Sequence, residues 1–151
     1  MRLVLLMGLS LAGLWACSEP GSVEDQIKNV IGEMEQDGEE GRRGAFMKRV
    51  HPDFQAQSGQ MDKTEFKRYM VFQWNQNSRL HAQLFPIAVT EDWDQQASAR
   101  FNVLVTGGRG FIPERGQLFE VFTIWQQDGS DWLLLRADWK PVEFEGILPG
   151  N

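Results

Sequence analysis

The spacing of apolar residues changes from a helical period to a strand period near residue 80, and this change sets the class of fold. Upstream, apolar side chains recur at intervals of three and four residues, which predicts amphipathic helices. Downstream, they alternate with polar or small side chains, which is typical of strands buried on one face. Helices followed by strands predict an α+β fold, with the helices packed on one face of a curved antiparallel sheet.

Three helices are predicted in the first part of the chain. The apolar stripe of the first consists of Val23, Ile27, Val30, Ile31 and Met34. Ser22 can cap this helix, and a charged, glycine-containing break follows at 37–44. A second, short helix runs to about Val50. The third begins at Asp62, where Glu65 completes a capping box.

Four strands or more are predicted in the second part. Alternating apolar positions place them at 85–89, 97–105, 118–125 and 132–139. The dipeptide Asp128-Gly129 predicts a short hairpin turn between the last two strands.

One of these strands, 118–125, is apolar on both faces. Its two faces carry Phe119, Val121 and Trp125 on one side and Leu118, Phe122 and Ile124 on the other. One face is expected to meet the helices. The other needs a different cover, which is either a second subunit or the tail segment 142–148, and both alternatives are open.

Composition narrows the classes of function. The 151 residues include 15 Lys and Arg against 21 Asp and Glu, which gives a net charge of -6. This charge argues against binding to the phosphates of a nucleic acid. A single cysteine cannot form an internal disulfide, and two histidines with one cysteine do not make a metal cluster of the usual kind. We therefore expect no metal, no cofactor and no nucleic-acid partner.

The segment before residue 22 has the features of a processed leader. Arg2 precedes an apolar run from Leu3 to Ala16, about fourteen residues, where a membrane span needs about twenty. Such a run is typical of a secretory signal peptide. The sequence becomes polar directly after Cys17. The predicted division is a signal peptide at 1–16, a modified cysteine and tether at 17–21, and one domain at 22–151.

The stretch Leu14-Trp15-Ala16-Cys17 resembles the bacterial lipobox, although Trp15 stands where that motif prefers a small residue. The resemblance implies that the leader is removed, that Cys17 is acylated, and that the acyl chains anchor the protein in a membrane. Ser18, rather than an aspartate, implies the periplasmic face of the outer membrane in a bacterial cell envelope. The alternative is an ordinary secretory signal with an incidental cysteine.

The order of elements resembles the nuclear transport factor 2-like superfamily, also called SnoaL-like or cystatin-like. The segments that carry the resemblance are 23–34, 46–54 ending in Val-His-Pro-Asp-Phe, 97–106 and 132–139. It implies a cone with an internal pocket between helices and sheet, and dimerisation through the outer sheet face. This fold hosts isomerases, dehydratases, hydrolases and many proteins that are not enzymes, so the fold alone does not decide the function.

Within Val-His-Pro-Asp-Phe, His51 or Asp53 could serve as a general base at the mouth of a pocket. The favoured interpretation is structural. In it His51 meets the carbonyl groups that end the second helix, Pro52 stops that helix, and Phe54 packs in the core.

Asp138 is the third weak catalytic candidate. The alternation places it on one strand face with Arg136, Leu134 and Trp132, where apolar neighbours could raise the pKa of its carboxyl. The favoured interpretation is an ion pair with Arg136 or, across strands, with Arg100. Glu120 is similarly expected to lie opposite Arg136.

Three other features carry less weight. Tyr69 is the only tyrosine, and isomerases of the family use a tyrosine inside the cone, but no tyrosine with two acids can be matched here, so a core role is expected. The glycine-rich stretch 106–110 could bind an anion, although a hairpin end is the simpler interpretation. His81 has no evident partner.

The leading hypothesis is a membrane-anchored domain without catalysis that binds a small apolar ligand or another envelope protein. The predicted pocket wall is Tyr69, Trp74, Phe101, Phe122, Trp132 and Trp139. The first alternative is a small enzyme of the hydrolase, isomerase or dehydratase type that uses His51, Asp53 or Asp138. The second is a structural envelope lipoprotein that forms homodimers through the sheet.

Overall fold

One seven-stranded sheet with three helices on its inner face makes up the described part of the chain. The computed structural model describes residues 21–77, 79–108 and 115–142. The helices are α1 (Val23–Glu39), α2 (Arg43–Lys48) and α3 (Lys63–Gln76). The strands are β1 (Val50–Ala56), β2 (Met61–Asp62), β3 (Arg79–Leu84), β4 (Ala88–Glu91), β5 (Gln96–Gly108), β6 (Arg115–Asp128) and β7 (Asp131–Pro141). This architecture confirms the predicted α+β class.

The strand order is β2-β1-β7-β6-β5-β3, and β4 also pairs with β5. The long strands β5, β6 and β7 form an antiparallel meander that is the widest part of the sheet. Gly129, with a φ of +63°, lies in the turn between β6 and β7, as the Asp-Gly dipeptide predicts. Glycine suits this conformation because it lacks the Cβ that makes a positive φ costly.

The predicted helix caps are confirmed. The Ser22 hydroxyl accepts a hydrogen bond from the backbone N–H of Asp25 at 3.1 Å. At the start of α3, Asp62 and Glu65 form a full capping box, each side chain accepting a hydrogen bond from the other residue's backbone N–H. Each cap satisfies N–H groups that have no partner inside the helix.

The segment after α2 differs from the prediction. The second helix ends at Lys48 rather than near Val50, and 50–56 forms β1, which pairs in parallel with β7. His51 therefore lies on a strand and not at the carbonyl groups of a helix end. Phe54 is buried, as expected. Local sequence could not reveal this strand because its pairing partner is about eighty residues away.

The strand predicted at 85–89 is also different. The structure has two short strands, β3 and β4, which pair with successive parts of β5. Pro86 lies between them. Proline has no N–H to donate to a strand ladder, so it interrupts the edge at this point.

A β-bulge changes the pattern of faces on β7. The pairing register shifts between Ile124 and Trp125 of β6, so that Leu135 is an extra residue on β7. The inner face of β7 consequently carries Trp132 and Leu134 before the bulge and Ala137 and Trp139 after it. Asp138 was expected on one face with Leu134 and Trp132. That expectation is wrong because the bulge moves later residues to the opposite face.

The end of α1 is longer than its apolar stripe and is tied to three other elements. The helix continues through Asp37 and Gly38 to Glu39, where the sequence suggests a break. Asp37 is 4% exposed, and its carboxylate accepts a hydrogen bond from Arg42 Nε at 2.7 Å. Arg49 Nε lies 3.5 Å from the other carboxylate oxygen of Asp37, an ion pair without hydrogen-bond geometry.

The next two residues of α1, Gly38 and Glu39, accept hydrogen bonds from α3 and β3. The indole N–H of Trp74 donates to the carbonyl oxygen of Gly38 at 2.9 Å. The backbone N–H of Ala82 donates to Glu39 Oε1 at 2.6 Å. Three consecutive residues thus connect the last turn of α1 to α2, α3 and β3, and these contacts keep the turn helical.

The core lies between the helices and the inner face of the sheet. Its helical side consists of Ile27, Val30, Ile31 and Met34 of α1, Met47 of α2 and Phe66 of α3, and its sheet side includes Ala97, Ala99, Trp125, Leu134 and Ala137. Alanines at three of these sheet positions are small enough to allow close approach of the helix. The predicted leader and Cys17 lie outside the described residues. Within those residues, no helix is long and apolar enough to span a membrane.

The contact between Trp74 and Gly38 makes a stability prediction. Trp74→Phe keeps an aromatic ring but removes the indole donor from the carbonyl of Gly38, which keeps only the longer bond of 3.3 Å from the backbone N–H of Gly41. This loss should lower the free energy of unfolding by about 1 kcal/mol. Trp93→Phe is the matched control, because Trp93 is 90% exposed, and should change it by less than about 0.5 kcal/mol. Urea unfolding measures both, and equal effects would contradict the structural role of Trp74.

Candidate functional site

A cavity of about 310 Å³ lies between the helices and the inner face of the sheet, and it is partly open to solvent. The helices contribute Ile31, Met34, Glu35, Gly38, Glu39, Phe46, Phe66, Tyr69, Met70 and Gln73 to its lining. The sheet contributes Leu80, Ala82, Leu84, Phe101, Val103, Val105, Phe119, Val121, Thr123, Trp125, Leu134, Ala137 and Trp139. Most of these side chains are apolar, and the volume is in the range of small-molecule sites.

The alternation of the strands explains this lining. Successive side chains on a strand point to opposite faces, so every second residue lines the cavity over 101–105 of β5 and 119–125 of β6. On β6 these residues are Phe119, Val121, Thr123 and Trp125. The sequence left open which face of this strand meets the helices, and the structure shows that it is the face of Phe119, Val121 and Trp125.

The polar atoms at the buried end of the cavity are occupied within the protein. The indole N–H of Trp125 donates to Thr123 Oγ1 at 2.8 Å, and this hydroxyl donates to the carbonyl of Ala99 at 3.4 Å. Trp125 is 1% exposed and Thr123 is 4% exposed. These groups stabilise the wall and leave this end of the cavity apolar toward a ligand.

Tyr69 and Trp139 form an aromatic pair on the wall, with ring centroids 5.7 Å apart. Burial raises the pKa of the Tyr69 phenol, and a hydrogen bond with Trp139 opposes this shift. The hydroxyl therefore stays protonated at neutral pH and is available as a hydrogen-bond donor at the cavity surface.

The charged groups of the lining come from α1. Glu35 and Glu39 are one helical turn apart, on the face that points to β3. His81 Nδ1 lies 2.5 Å from Glu39 Oε1, so His81 does have a partner, contrary to the expectation from sequence. Burial raises the pKa of Glu35, its charge and hydrogen-bond interactions with Glu39 raise it further, and His81 lowers it.

The six residues predicted to form a pocket wall divide equally. Tyr69, Phe101 and Trp139 line the cavity, and Trp74, Phe122 and Trp132 do not. Phe122 lies on the outer face, with the Arg100 guanidinium 4.4 Å from its ring centroid.

The other two tryptophans have structural contacts. Trp74 packs edge-on against Phe46, with ring centroids 5.5 Å apart, in addition to its bond with Gly38. Trp132 donates its indole N–H to Gln26 Oε1 at 3.0 Å and so holds the start of α1. It also borders a second, more polar groove beside α1 and α2.

The three weak catalytic candidates lie away from the cavity. His51 Nδ1 accepts a hydrogen bond from the backbone N–H of Asp53 at 3.0 Å, and the Asp53 side chain is 88% exposed. Asp138 accepts from Arg136 Nε at 2.8 Å, the predicted pair, and from the backbone N–H of Ser58 at 2.7 Å. The structure brings none of the three to the cavity lining.

Other sequence expectations can be placed as well. Glu120 forms an ion pair with Lys140 at 3.0 Å, and the expected pairing with Arg136 is wrong because the register of β6 and β7 places Lys140 opposite Glu120 and Arg136 opposite Ile124. The strand β5 continues through Gly107 and Gly108, whereas 109–110 fall outside the described residues. Within residues 21–77, 79–108 and 115–142, no three His, Cys, Asp or Glu side chains gather closely enough to hold a metal ion.

The cover of the outer sheet face stays a prediction. Leu118, Phe122 and Ile124 lie on that face and are partly buried. The Val142 N–H donates to the carbonyl of Leu118 at 2.8 Å, so the chain beyond β7 begins beside it. Residues 143–151 lie outside the described part, and both a second subunit and the tail remain open.

Comparisons with known proteins support the fold and only the fold. No protein-family model matches the sequence, and no curated protein matches it. Solved structures do match. A protein of unknown function from Pseudomonas putida, described as NTF2-like, has a TM-score of 0.67 at 16% identity, over 81% of this chain and 89% of that one. The chain has the nuclear transport factor 2-like fold.

Two further structures show the range of such neighbours. A putative scytalone dehydratase from Novosphingobium aromaticivorans has a TM-score of 0.68 at 10% identity, over 80% of this chain and 84% of that one. The Bd1075 protein of Bdellovibrio bacteriovorus has a TM-score of 0.69 at 9% identity, over 80% of this chain. The chain spans 41% of the length of that protein. At these identities the likeness describes the fold and not the chemistry.

The sequence interpretation missed Glu35 and Glu39. The sequence does contain a signal for these two residues. Glu35 and Glu39 follow Ile31 at intervals of four, so they lie on the same buried face of α1. Acidic residues followed by a glycine favoured the interpretation of a solvated break. The contacts at Asp37, Gly38 and Glu39 hold this turn in the helix, and both carboxylates then line the cavity.

The raised pKa of Glu35 predicts a pH-dependent stability. A carboxyl with a higher pKa in the folded chain contributes stability below the pKa of the unfolded chain, and this contribution is lost as pH rises through the folded pKa. Glu35→Gln resembles the protonated form, so the variant should gain thermal stability relative to the wild type between pH 4 and pH 7. Glu33→Gln on the exposed face is the control. Melting curves that move in parallel for wild type and Glu35→Gln would contradict this.

Proposed function

We propose that this chain is a binding domain for a small, largely apolar ligand, which it holds in the cavity between α1, α3 and the sheet. The observation that carries the proposal is the cavity itself, about 310 Å³ in volume and lined mostly by apolar and aromatic side chains. An apolar cavity of about 150 Å³ already binds benzene, because the ligand moves from water into an apolar environment.

The residues of the cavity wall leave apolar surface that a ligand can cover. Phe101, Val103 and Val105 on β5 face the cavity and are only partly buried. At the buried end, Trp125 donates a hydrogen bond to Thr123, so these polar groups already have partners within the protein. A ligand would therefore bury apolar surface on both partners without disrupting a polar network, at about 25 cal/mol per Å² before the costs of association.

A small enzyme is the second candidate. The observation that favours it is the presence of two carboxylates and a histidine, Glu35, Glu39 and His81, at the edge of the same cavity. A carboxyl group whose pKa is raised, as that of Glu35 is by burial, is a group that enzymes use for acid and base chemistry. One structural neighbour is described as a putative dehydratase. Turnover of a bound compound would distinguish this candidate from a binding protein.

We also propose that the domain is anchored in the bacterial envelope through acylated Cys17. The support is the sequence Leu14-Trp15-Ala16-Cys17 after an apolar run, followed by the polar residues 18–22. An anchor at Cys17 leaves only a few residues before α1 begins at Val23. The cavity would then work close to a membrane surface, where apolar molecules are concentrated.

The cavity proposal predicts a selective effect of filling it. Val103→Trp places an indole in the cavity and should weaken the binding of a neutral, environment-sensitive naphthalene dye at least tenfold. The control is Leu104→Trp, because Leu104 is the next residue of β5 and faces the other side of the sheet. Dye fluorescence measures both, and circular dichroism checks folding. Equal loss of binding in the two variants would contradict the proposed site.

The anchor proposal predicts a mass. Protein extracted from membranes should have the mass of a chain that begins at Cys17 plus its acyl groups, and Cys17→Ala should abolish both cleavage and acylation. Intact-mass spectrometry measures this. A wild-type chain that keeps its leader, or begins elsewhere without acyl groups, would remove the anchor.

A further inference from the structure

The cavity has a charged wall on one side only. Of the described residues that line it, Glu35 and Glu39 are the ones with a formal charge, and both come from α1. The remaining lining is apolar apart from Tyr69, Gln73 and Thr123. The cavity is the site, and these two carboxylates decide which ligand chemistry it favours.

The Glu39 carboxylate already has partners within the protein. Its Oε1 atom lies 2.5 Å from His81 Nδ1 and accepts the N–H of Ala82 at 2.6 Å. These contacts fasten α1 to β3. They also orient the Glu39 carboxylate toward β3. Glu35, which has a hydrogen bond with Glu39, is the carboxylate that then faces a ligand.

Glu35 lacks the basic partner that other acids of this helix have. Glu24 pairs with Lys28, Glu33 with Arg49, and Asp37 with Arg42. Among the described residues, no Lys or Arg forms an ion pair with Glu35. The charges that act on it are those of Glu39 and of His81, and His81 makes its contact with Glu39. A partly buried carboxylate beside apolar groups is unfavourable until a cation or a proton neutralises it.

We infer that the cavity selects an amphiphilic amine, with an apolar body against Phe101, Val103 and Trp139 and an ammonium group paired with Glu35. This inference rests on the proposed ligand-binding function and specifies its ligand class. An ammonium group replaces the missing basic partner in a charge-assisted hydrogen bond. A ligand carboxylate would be repelled, and a hydroxyl would gain only an ordinary hydrogen bond.

The pH dependence of amine binding follows from the same groups. At low pH the Glu35 carboxyl is protonated and offers no charge to an ammonium group. Affinity should rise with pH as this proton is lost, and binding near that pH should release a proton. Glu39 and His81 also face Glu35, and a positive charge on His81 would oppose the ammonium group. An uncharged alcohol should show little of this dependence.

Calorimetric titration of the full-length protein with octylamine, 1-octanol and octanoate tests the inference. These probes share one apolar chain and differ in the charge of the head group. We expect octylamine to bind about tenfold more tightly than octanol, and octanoate more weakly than both. Glu35→Gln should remove the preference for the amine and leave octanol unchanged. Glu33→Gln, which changes the same charge on the opposite face of α1, should keep the preference.

The outcomes separate the two proposals. If octanol binds as well as octylamine, or if Glu35→Gln keeps the preference, the amine inference is wrong while the apolar binding site stands. If none of the three probes binds, the proposed function fails and the inference fails with it. Titration of the wild type in two buffers of different ionisation enthalpy adds a measurement without a variant. Absence of proton release on amine binding, at every pH from 4 to 7, would also overturn the inference.

Discussion

The last turn of α1 depends on three polar contacts in succession, and the cavity depends on that turn. Asp37 binds Arg42 of the connection to α2, the carbonyl of Gly38 accepts from Trp74 of α3, and Glu39 accepts from Ala82 of β3. Hydrogen bonds to charged or buried groups contribute more than exposed ones. Polar contacts at the rim hold the helix in place without filling the space beneath it, so the apolar lining remains open to a ligand.

The two halves of α1 consequently meet the sheet in different ways. Ile27 and Val30 of the first half belong to the same buried cluster as the small sheet residues Ala97 and Ala99. The second half stands over larger, partly buried side chains of β5 and β6 and borders the cavity. Close packing at the first half of α1 contributes stability, and looser packing at the second half leaves room for a ligand. The bulge at Leu135 contributes to this arrangement because it places Trp139 on the inner face of the sheet.

Much of the fold could be predicted from sequence because its signals are local. The caps at Ser22 and Asp62, the alternation in β5 and β6, and the turn at Gly129 all depend on neighbours within a few residues. The missed features depend on distant partners. The strand β1 forms because it pairs in parallel with β7. The sheet face on which Asp138 lies depends on a β-bulge, which the local sequence pattern does not predict.

The candidate site was predicted less completely, for the same physical reason. Tyr69, Phe101 and Trp139 could be chosen as large aromatics on the inner faces of regular elements. Trp74 and Trp132 satisfy the same criterion, but their indole N–H groups are used to hold α1. Glu35 was overlooked because its charge suggested solvent, and its position on the wall follows from tertiary contacts that extend the helix.

The central claim is that the space between α1, α3 and the sheet is open to an apolar molecule. Crystals of the protein pressurised with xenon test this claim directly, since xenon enters dry apolar cavities and is visible by its electron density. The account predicts a xenon site within the cavity, next to Phe101 and Trp139. A cavity without xenon, filled by the protein's own side chains, would contradict it.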